Sequence, residues 1–311
     1  MSLYVITKGL ASFVLPAALT NRGGGRTHSA RYCYSVYLRH LVKLAEAGLP
    51  TAPRAVAEIG PGESVGAGLA ALIAGAERYV GLDVKHYALR PDTAALFDEL
   101  VALFRARAPI PGGTEFPTIK PELPDDAFPT RILSADRMAR ALDPARLDDL
   151  RRRIAAGGEA SPLGHIAPWH DAGSIEPGAI DWIFSQAVME HVDDLALTYR
   201  ACREWLAPGG VMSHQIDMKS HGTAAAWNGH WAYSDAMWRV VRGRRLYLIN
   251  RAPASAHRAA MNAAGFAIVA DQPVIRRDGL PKARLAPRFR GMSDEDAATA
   301  GLFVIARRAD A

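Results

Sequence analysis

The chain has little cysteine. Cys33 and Cys202 are the two among 311 residues, far apart and neither in a CxxC pair nor near a histidine at ligand spacing. That excludes a disulfide framework and a zinc-ribbon site, and it fits reduced thiols in a cytoplasmic protein. A long hydrophobic run is missing too. The apolar N-terminal stretch, residues 1–20, is broken by Lys8, Gly9 and Pro16, is too short to span a bilayer, and lacks a cationic leader with a small-residue cleavage site. It reads as a helix or arm packed on the core, with peripheral membrane contact as the alternative. Neither sign of charge dominates: 37 Lys and Arg against 32 Asp and Glu give a net charge of +5. The basic residues are scattered, with short clusters at Arg151–Arg153, Arg242–Arg245 and Arg307–Arg308. A nucleic-acid binder would carry a basic stripe interleaved with aromatics, so nucleic acid is not the expected partner. No internal repeat or low-complexity tract is visible.

What the chain does have is apolar mass, 49% of its residues, enough for one large domain or a domain with a cap. The stretch Ala55–Asp83 carries the most chemistry. It reads as a buried strand (Ala55–Ile59), a glycine turn (Gly60–Gly66), an Ala/Leu-rich helix, and a second strand ending at Asp83. Glycines at 60 and 62 let the backbone turn sharply and let a ligand approach it. The helix start behind them offers unpaired N–H groups. A carboxylate at the end of the second strand suits the two hydroxyls of a ribose. These features define a nucleoside-binding βαβ unit.

The turn Gly60-Pro61-Gly62-Glu63-Ser64-Val65-Gly66 places its third glycine one residue late for the G-x-G-x-x-G dinucleotide pattern. Acids flank it, Glu58 before the first glycine and Glu63 after the second, and carboxylates repel a pyrophosphate at short range. They suit a ligand with an ammonium group and no phosphate, as in S-adenosylmethionine. Glu58-Ile59-Gly60-Pro61-Gly62 resembles the first motif of the class I S-adenosylmethionine-dependent methyltransferases, with Ser64 where many members have a third glycine. Asp83 resembles their second motif, Ile180–Val192 their fourth strand and the helix after it, and Trp205-Leu206-Ala207-Pro208-Gly209-Gly210-Val211 the turn into strand five. The resemblance spans about 160 residues. It implies a Rossmann-like α/β fold with a seven-stranded, mostly parallel sheet and an antiparallel last strand. It also implies a donor site at Glu58, Gly60, Pro61, Gly62, Asp83, Val84, Ser185 and Gln186, with Trp169 bordering the adenine or simply packed in the core. The layout is further similar to uncharacterised bacterial members associated with surface-polysaccharide genes, which points to a glycan or small-molecule acceptor.

Along the chain, residues 1–52 read as the N-terminal arm and a helix, with a glycine/arginine loop at 21–27 between them. Residues 53–311 read as the methyltransferase domain. An insertion at about 90–162 lies between strands two and three, with helices at 93–107 and 143–156 around a proline-rich tract, and is expected over the cofactor pocket. A helix carrying Met189, Glu190 and His191 is expected after strand four. An aromatic cap loop is expected at about 217–248; its run Trp227–Asp235 suits sugar rings or, more plainly, a core. Arg251 offers a charge for an anionic acceptor or a helix start.

A sulfonium already activates its methyl group, so the protein has to align an acceptor and take its proton. Candidates near the strand ends are His170, His191, His214, Asp217 and His221. The reading places catalysis on His191 and His221, with Asp217 orienting or sharing the proton. His214, Asp217 and His221 offer a single carboxylate among histidines, poor for Mg²⁺, which prefers oxygen; no metal is expected. O-methylation is the expected reaction. An NAD(P)-binding oxidoreductase or epimerase, and a catalytically silent cofactor-binding module, stay open, as does a homodimer.

Overall fold

Strand segments such as AVAEI and IDWIFSQ are apolar on both faces, and such strands need helices on both sides of a sheet. The computed structural model describes residues 3–14, 29–85, 92–245 and 248–309. Its strands are β1 (Ala55–Ile59), β2 (Arg78–Leu82), β3 (Leu163–Ile166), β4 (Ile180–Gln186), β5 (Leu206–Asp217), β6 (Phe266–Ile275) and β7 (Thr299–Arg308). They form one sheet in the order β3-β2-β1-β4-β5-β7-β6. Strands β1 to β5 are parallel to their neighbours, and β7 runs antiparallel between β5 and β6. The expected seven-stranded, mostly parallel sheet with a reversed last strand is what the chain forms.

The main helices are α1 (Leu3–Val14), α2 (Ala30–Glu46), α3 (Gly66–Ile73), α4 (Thr93–Arg105), α5 (Ala135–Ala141), α6 (Pro144–Ala156), α7 (Leu195–Trp205), α8 (Asp235–Arg242) and α9 (Ala254–Ala263). On one face, α2, α3 and α4 bury Tyr34, Leu38, Leu72 and Phe97 together with Trp182 and Phe184 of β4. Helix α2, with Ser29 as its N-cap accepting from the Tyr32 N–H, therefore shares the core of the sheet that comes after it. On the other face, Tyr199, Cys202 and Trp205 of α7 and Met261 of α9 pack on Ile183, Met212 and Val304.

The insertion contributes α4 and α6 where helices were expected and adds α5. Its helices extend the α2/α3 layer through Leu100, Phe104, Met138, Leu147 and Leu150. Its proline-rich tract is held by the buried Arg39, which donates to the carbonyls of Pro111 (3.0 Å) and Pro121 (2.9 Å). The tract reaches the strand ends through the carbonyl of Lys120, which accepts from Gln186 Nε2 at 2.9 Å.

Two local expectations need correction. Pro208-Gly209-Gly210 is not a turn preceding strand five. Strand β5 begins at Leu206, and a register shift between Ile180 and Trp182 absorbs these residues. Met189, Glu190 and His191 form a single 3-10 turn, with the helix starting only at Leu195. Asn250 holds that turn open, its Nδ2 donating to the carbonyls of Met189 (2.9 Å) and Val192 (2.8 Å) and its N–H to Glu190 O (2.6 Å).

The aromatic cap is mostly core. Trp231 is packed with Leu285 and Phe289, and Tyr233 and Trp238 with Val5 and Val241. Helix α1 lies directly on α8, where a Cβ on Gly9 would fall 2.0 Å from Val240 O. Its outer side leaves Tyr4, Leu10, Phe13 and Val14 exposed. No helix among the described residues is long and apolar enough to cross a membrane. The glycine/arginine loop at 21–27 lies outside the described residues.

Candidate active site

Strand order reverses between β1 and β4, and open α/β sheets bind ligands in the crevice at such a point, beyond the carboxyl ends of the strands. The Gly60 turn lies in this crevice. Gly60 has φ +70° and Gly62 φ +71°, the left-handed region that favours glycine. A Cβ on Gly60 would also sit 2.5 Å from a Val188 methyl, in the loop after β4. The Gly60 N–H donates to Leu82 O at 2.8 Å, tying the turn to the end of β2.

Glu58 is buried beside this turn, and its Oε2 accepts from the Tyr79 hydroxyl at 2.6 Å. Burial pushes its carboxyl up to about 8 although the Tyr79 bond acts the other way. Its charge therefore waits for a cationic partner. Tyr32, Cys33, Pro61 and Gln186 surround the same point and leave a cavity of about 20 Å³, room for one water. Asp83 is buried one residue beyond β2, and its carboxyl is raised by burial. It accepts from the N–H groups of Val84 (2.6 Å) and Gly62 (3.3 Å). Val84 leaves 43% of its surface open.

The remaining expected donor residues divide. The Trp169 N–H donates to Asp83 O at 3.1 Å, which places its backbone beside Asp83 at the end of β2. Its indole meets Trp205 edge-on, 5.5 Å between centroids, in the α7 layer. Ser185 and Gln186 point to opposite faces of β4, as strand alternation requires. The Ser185 hydroxyl is fully buried against His214 Nδ1 at 2.8 Å. Gln186 borders the crevice, its Oε1 3.1 Å from His40 Nε2.

About the ends of β4 and β5 the chain gathers a second set of groups. Asp217 ends β5, accepts from the Lys219 N–H at 2.9 Å and forms an ion pair with Lys219 Nζ at 3.0 Å. His221 has φ +46°, a conformation that costs energy outside glycine and is found where a side chain must be aimed. Its Nε2 lies 3.7 Å from Asp217 Oδ2 and 3.8 Å from Glu190 Oε1. His191 Nε2 is 4.0 Å from the same Glu190 oxygen, and the two imidazoles stand perpendicular with centroids 5.0 Å apart. Glu190 is 3% exposed. Burial raises its carboxyl well above the usual range although backbone N–H groups of Glu190 and Asp217 act the other way, and no side chain among the described residues hydrogen-bonds either oxygen. Beside His221 opens a cleft of about 370 Å³ lined by Asp217, Lys219, Trp227 and Arg276.

All three expected catalytic residues, His191, His221 and Asp217, thus come together. Glu190, at their centre, is a residue that the sequence does not single out; its only signal is the Glu-His pair after strand four. The 3-10 turn that carries Glu190 and His191 is pinned by Asn250. His214 is not in this group: it is fully buried, lowered to about 3 by desolvation. His170 is exposed beyond β3. Arg251 is buried rather than facing an acceptor, paired with Asp235 at 2.7 Å and lying over the Trp238 ring at 4.8 Å.

No family model matches the chain, and no curated protein does. Among solved structures it is similar to an S-adenosylmethionine-dependent methyltransferase from Mesorhizobium loti (16% identity, 86% of this chain and 96% of that one, TM-score 0.38). Another is a SAM-dependent methyltransferase from Methanosarcina mazei (11% identity, 86% and 97%, TM-score 0.43). A third is phosphoethanolamine N-methyltransferase 2 from Haemonchus contortus in complex with S-adenosyl-L-methionine (15% identity, 90% and 57%, TM-score 0.44). Resemblance of this size transfers neither a site nor an activity, and those have to come from the chain's own geometry.

Proposed function

We propose that this protein is an S-adenosylmethionine-dependent methyltransferase acting on an oxygen of a small-molecule or glycan acceptor, in the cytoplasm. The observation that carries this reading is Glu58, a buried carboxyl at the glycine turn of the sheet's crevice. A dinucleotide's pyrophosphate gains nothing from a carboxyl there and opposes its ionisation, whereas the ammonium of the methionine tail would pair with its charge. Asp83 would take the ribose hydroxyls, Val84 and the Trp169 backbone would border the adenine, and Gly60, Pro61, Gly62 and Gln186 would line the rest, while Ser185 supports β4 from its other face. The cavity at Glu58 is one water in size, so cofactor entry requires side chains such as Gln186 to move.

In this reading the acceptor hydroxyl lies in the cleft beside His221 and Trp227. Its oxygen would accept the methyl group that S-adenosylmethionine supplies, and the hydroxyl proton would go to His221 Nε2. Asp217 at 3.7 Å orients the imidazole and balances the charge that forms, with His191 beside it. The products are the methyl ether and S-adenosylhomocysteine. The exposed apolar residues of α1 suit a membrane surface or a second copy of the chain. The test is transfer of a labelled methyl group to cell-envelope fractions and small hydroxylated acceptors. Label in glycan or small molecule, lost in Glu58→Ala and Asp83→Ala, supports the reading; label in nucleic acid or protein alone overturns the acceptor class.

A further inference from the structure

We propose that Glu190, His191 and His221 form a binding site for one divalent transition-metal ion, with Asp217 as a fourth ligand. The inference rests on the acceptor-end reading above, but it concerns a ligand that the trio His214, Asp217 and His221 did not suggest. The structure sends His214 into the core and puts Glu190 and His191 in its place.

Three observations carry the site. The Glu190 oxygen and the two imidazole nitrogens that face it lie within 4.8 Å of one another. Ligands about 2.1 Å from an ion stand about 3–3.4 Å apart, so closure asks the most distant pair to approach by up to roughly one and a half ångströms. The Glu190 carboxyl is 3% exposed and no side chain among the described residues hydrogen-bonds either oxygen; the backbone N–H groups of Glu190 and Asp217 act on it without lifting the cost of burying its charge. A cation at this point removes that cost. Finally, the two histidines and the glutamate come from two separate loops, and His221 is held at φ +46°, so the convergence is not the accident of one helix face.

The donor set selects the ion. Two imidazoles and a carboxylate suit Zn²⁺, Co²⁺, Mn²⁺ or Fe²⁺ and disfavour Mg²⁺ and Ca²⁺, which take oxygen. Asp217 can join once its ion pair with Lys219 Nζ is released, and the cleft beside His221 supplies an entry path. An ion with an open position there would lower the pKa of an acceptor hydroxyl, taking over the part assigned above to His221 as base.

The experiment uses chelator-stripped full-length protein titrated with Zn²⁺ by calorimetry and with Co²⁺ by visible absorption. The expected result is one equivalent bound, with cobalt ligand-field bands. Binding should weaken at least about 10- to 100-fold in His221→Ala, a partly exposed position that tolerates truncation, and likewise in Glu190→Gln if that variant unfolds like the wild type. Absence of saturable binding, or binding unchanged in His221→Ala, overturns the site. S-adenosylhomocysteine binding measured on the stripped protein reads the donor site separately. Its loss contradicts the methyltransferase reading, whereas its persistence without metal binding sinks only the metal site.

Discussion

The two ends of the crevice are built differently. The donor end comes from one stretch of chain, Ala55 to Asp83, whose strand, turn and second strand are local and whose key groups are fixed by backbone geometry: φ +70° at Gly60 and N–H bonds to Asp83. The acceptor end is assembled from the loop after β4, the loop after β5, and Asn250, which holds the first of them. Its groups stand 3.7–4.0 Å apart, close enough to act together and too far to be bonded. The donor end is nearly closed; the acceptor end is open. The first has its backbone set but must move side chains to admit a ligand, and the second awaits a substrate, a proton or an ion.

Variants should separate the two ends. The largest effect is expected for His221→Ala, which should lower methyl transfer by about 10²–10⁴-fold, the usual contribution of a general base, while S-adenosylhomocysteine affinity stays within about twofold. A parallel loss of affinity would erase the division between the ends. Gly60→Ala should do the reverse. Its methyl would collide with Val188 in a left-handed backbone, so affinity should fall by at least about 100-fold and stability by about 1–3 kcal/mol, read by calorimetry and urea unfolding. Glu58→Gln keeps the Tyr79 contact and removes the charge, so affinity should fall about tenfold, one ion-assisted hydrogen bond.

The pH dependence sharpens the same contrast. Glu58 is raised to about 8, so below that pH the ligand's ammonium must displace a proton. Affinity should therefore rise by up to about tenfold per pH unit between roughly 6 and 8, and Glu58→Gln should flatten the rise. For stability, the neutral Glu58 contributes fully below its ordinary value and less as pH climbs through 8. The buried histidines act oppositely. His40 and His257 are lowered to about 4, and His214 and His230 to about 3. Their contribution is complete above the ordinary histidine value and is lost as pH falls toward 4 and 3, because the unfolded chain binds the protons first. Urea midpoints between pH 7 and 4 should fall, less so in His214→Gln. The smallest effect is expected for Trp169→Phe: its ring is supported by Trp205 away from the crevice, so affinity should change by no more than a few-fold.

The sheet was legible because strand and helix periods are local signals. Residues 55–59, 66–73 and 78–82 fold as their apolar pattern says. Gly60 and Asp83 could be read because a glycine and an acid at set distances from strand ends carry their own geometry. Glu190 could not. Its role depends on a 3-10 turn that a hydrogen bond from Asn250, sixty residues away, decides. His214 and Ser185 show the same limit from the other side. Both are polar and close to a strand end, and whether each faces ligand or core is set by alternation and by a partner on the neighbouring strand. The aromatic run at 227–235 reads from sequence as a sugar-binding surface or a core, and its rings mostly take the second part, packed with Leu285 and Phe289 or with Val5 and Val241.

Calorimetry with S-adenosylhomocysteine and with NADH, on wild type and Glu58→Gln, tests the central claim most directly. The expected result is micromolar binding of S-adenosylhomocysteine, weakened by the substitution, and no binding of NADH. Binding of NADH with none of S-adenosylhomocysteine would contradict the assignment of the Gly60 crevice to a methyl donor.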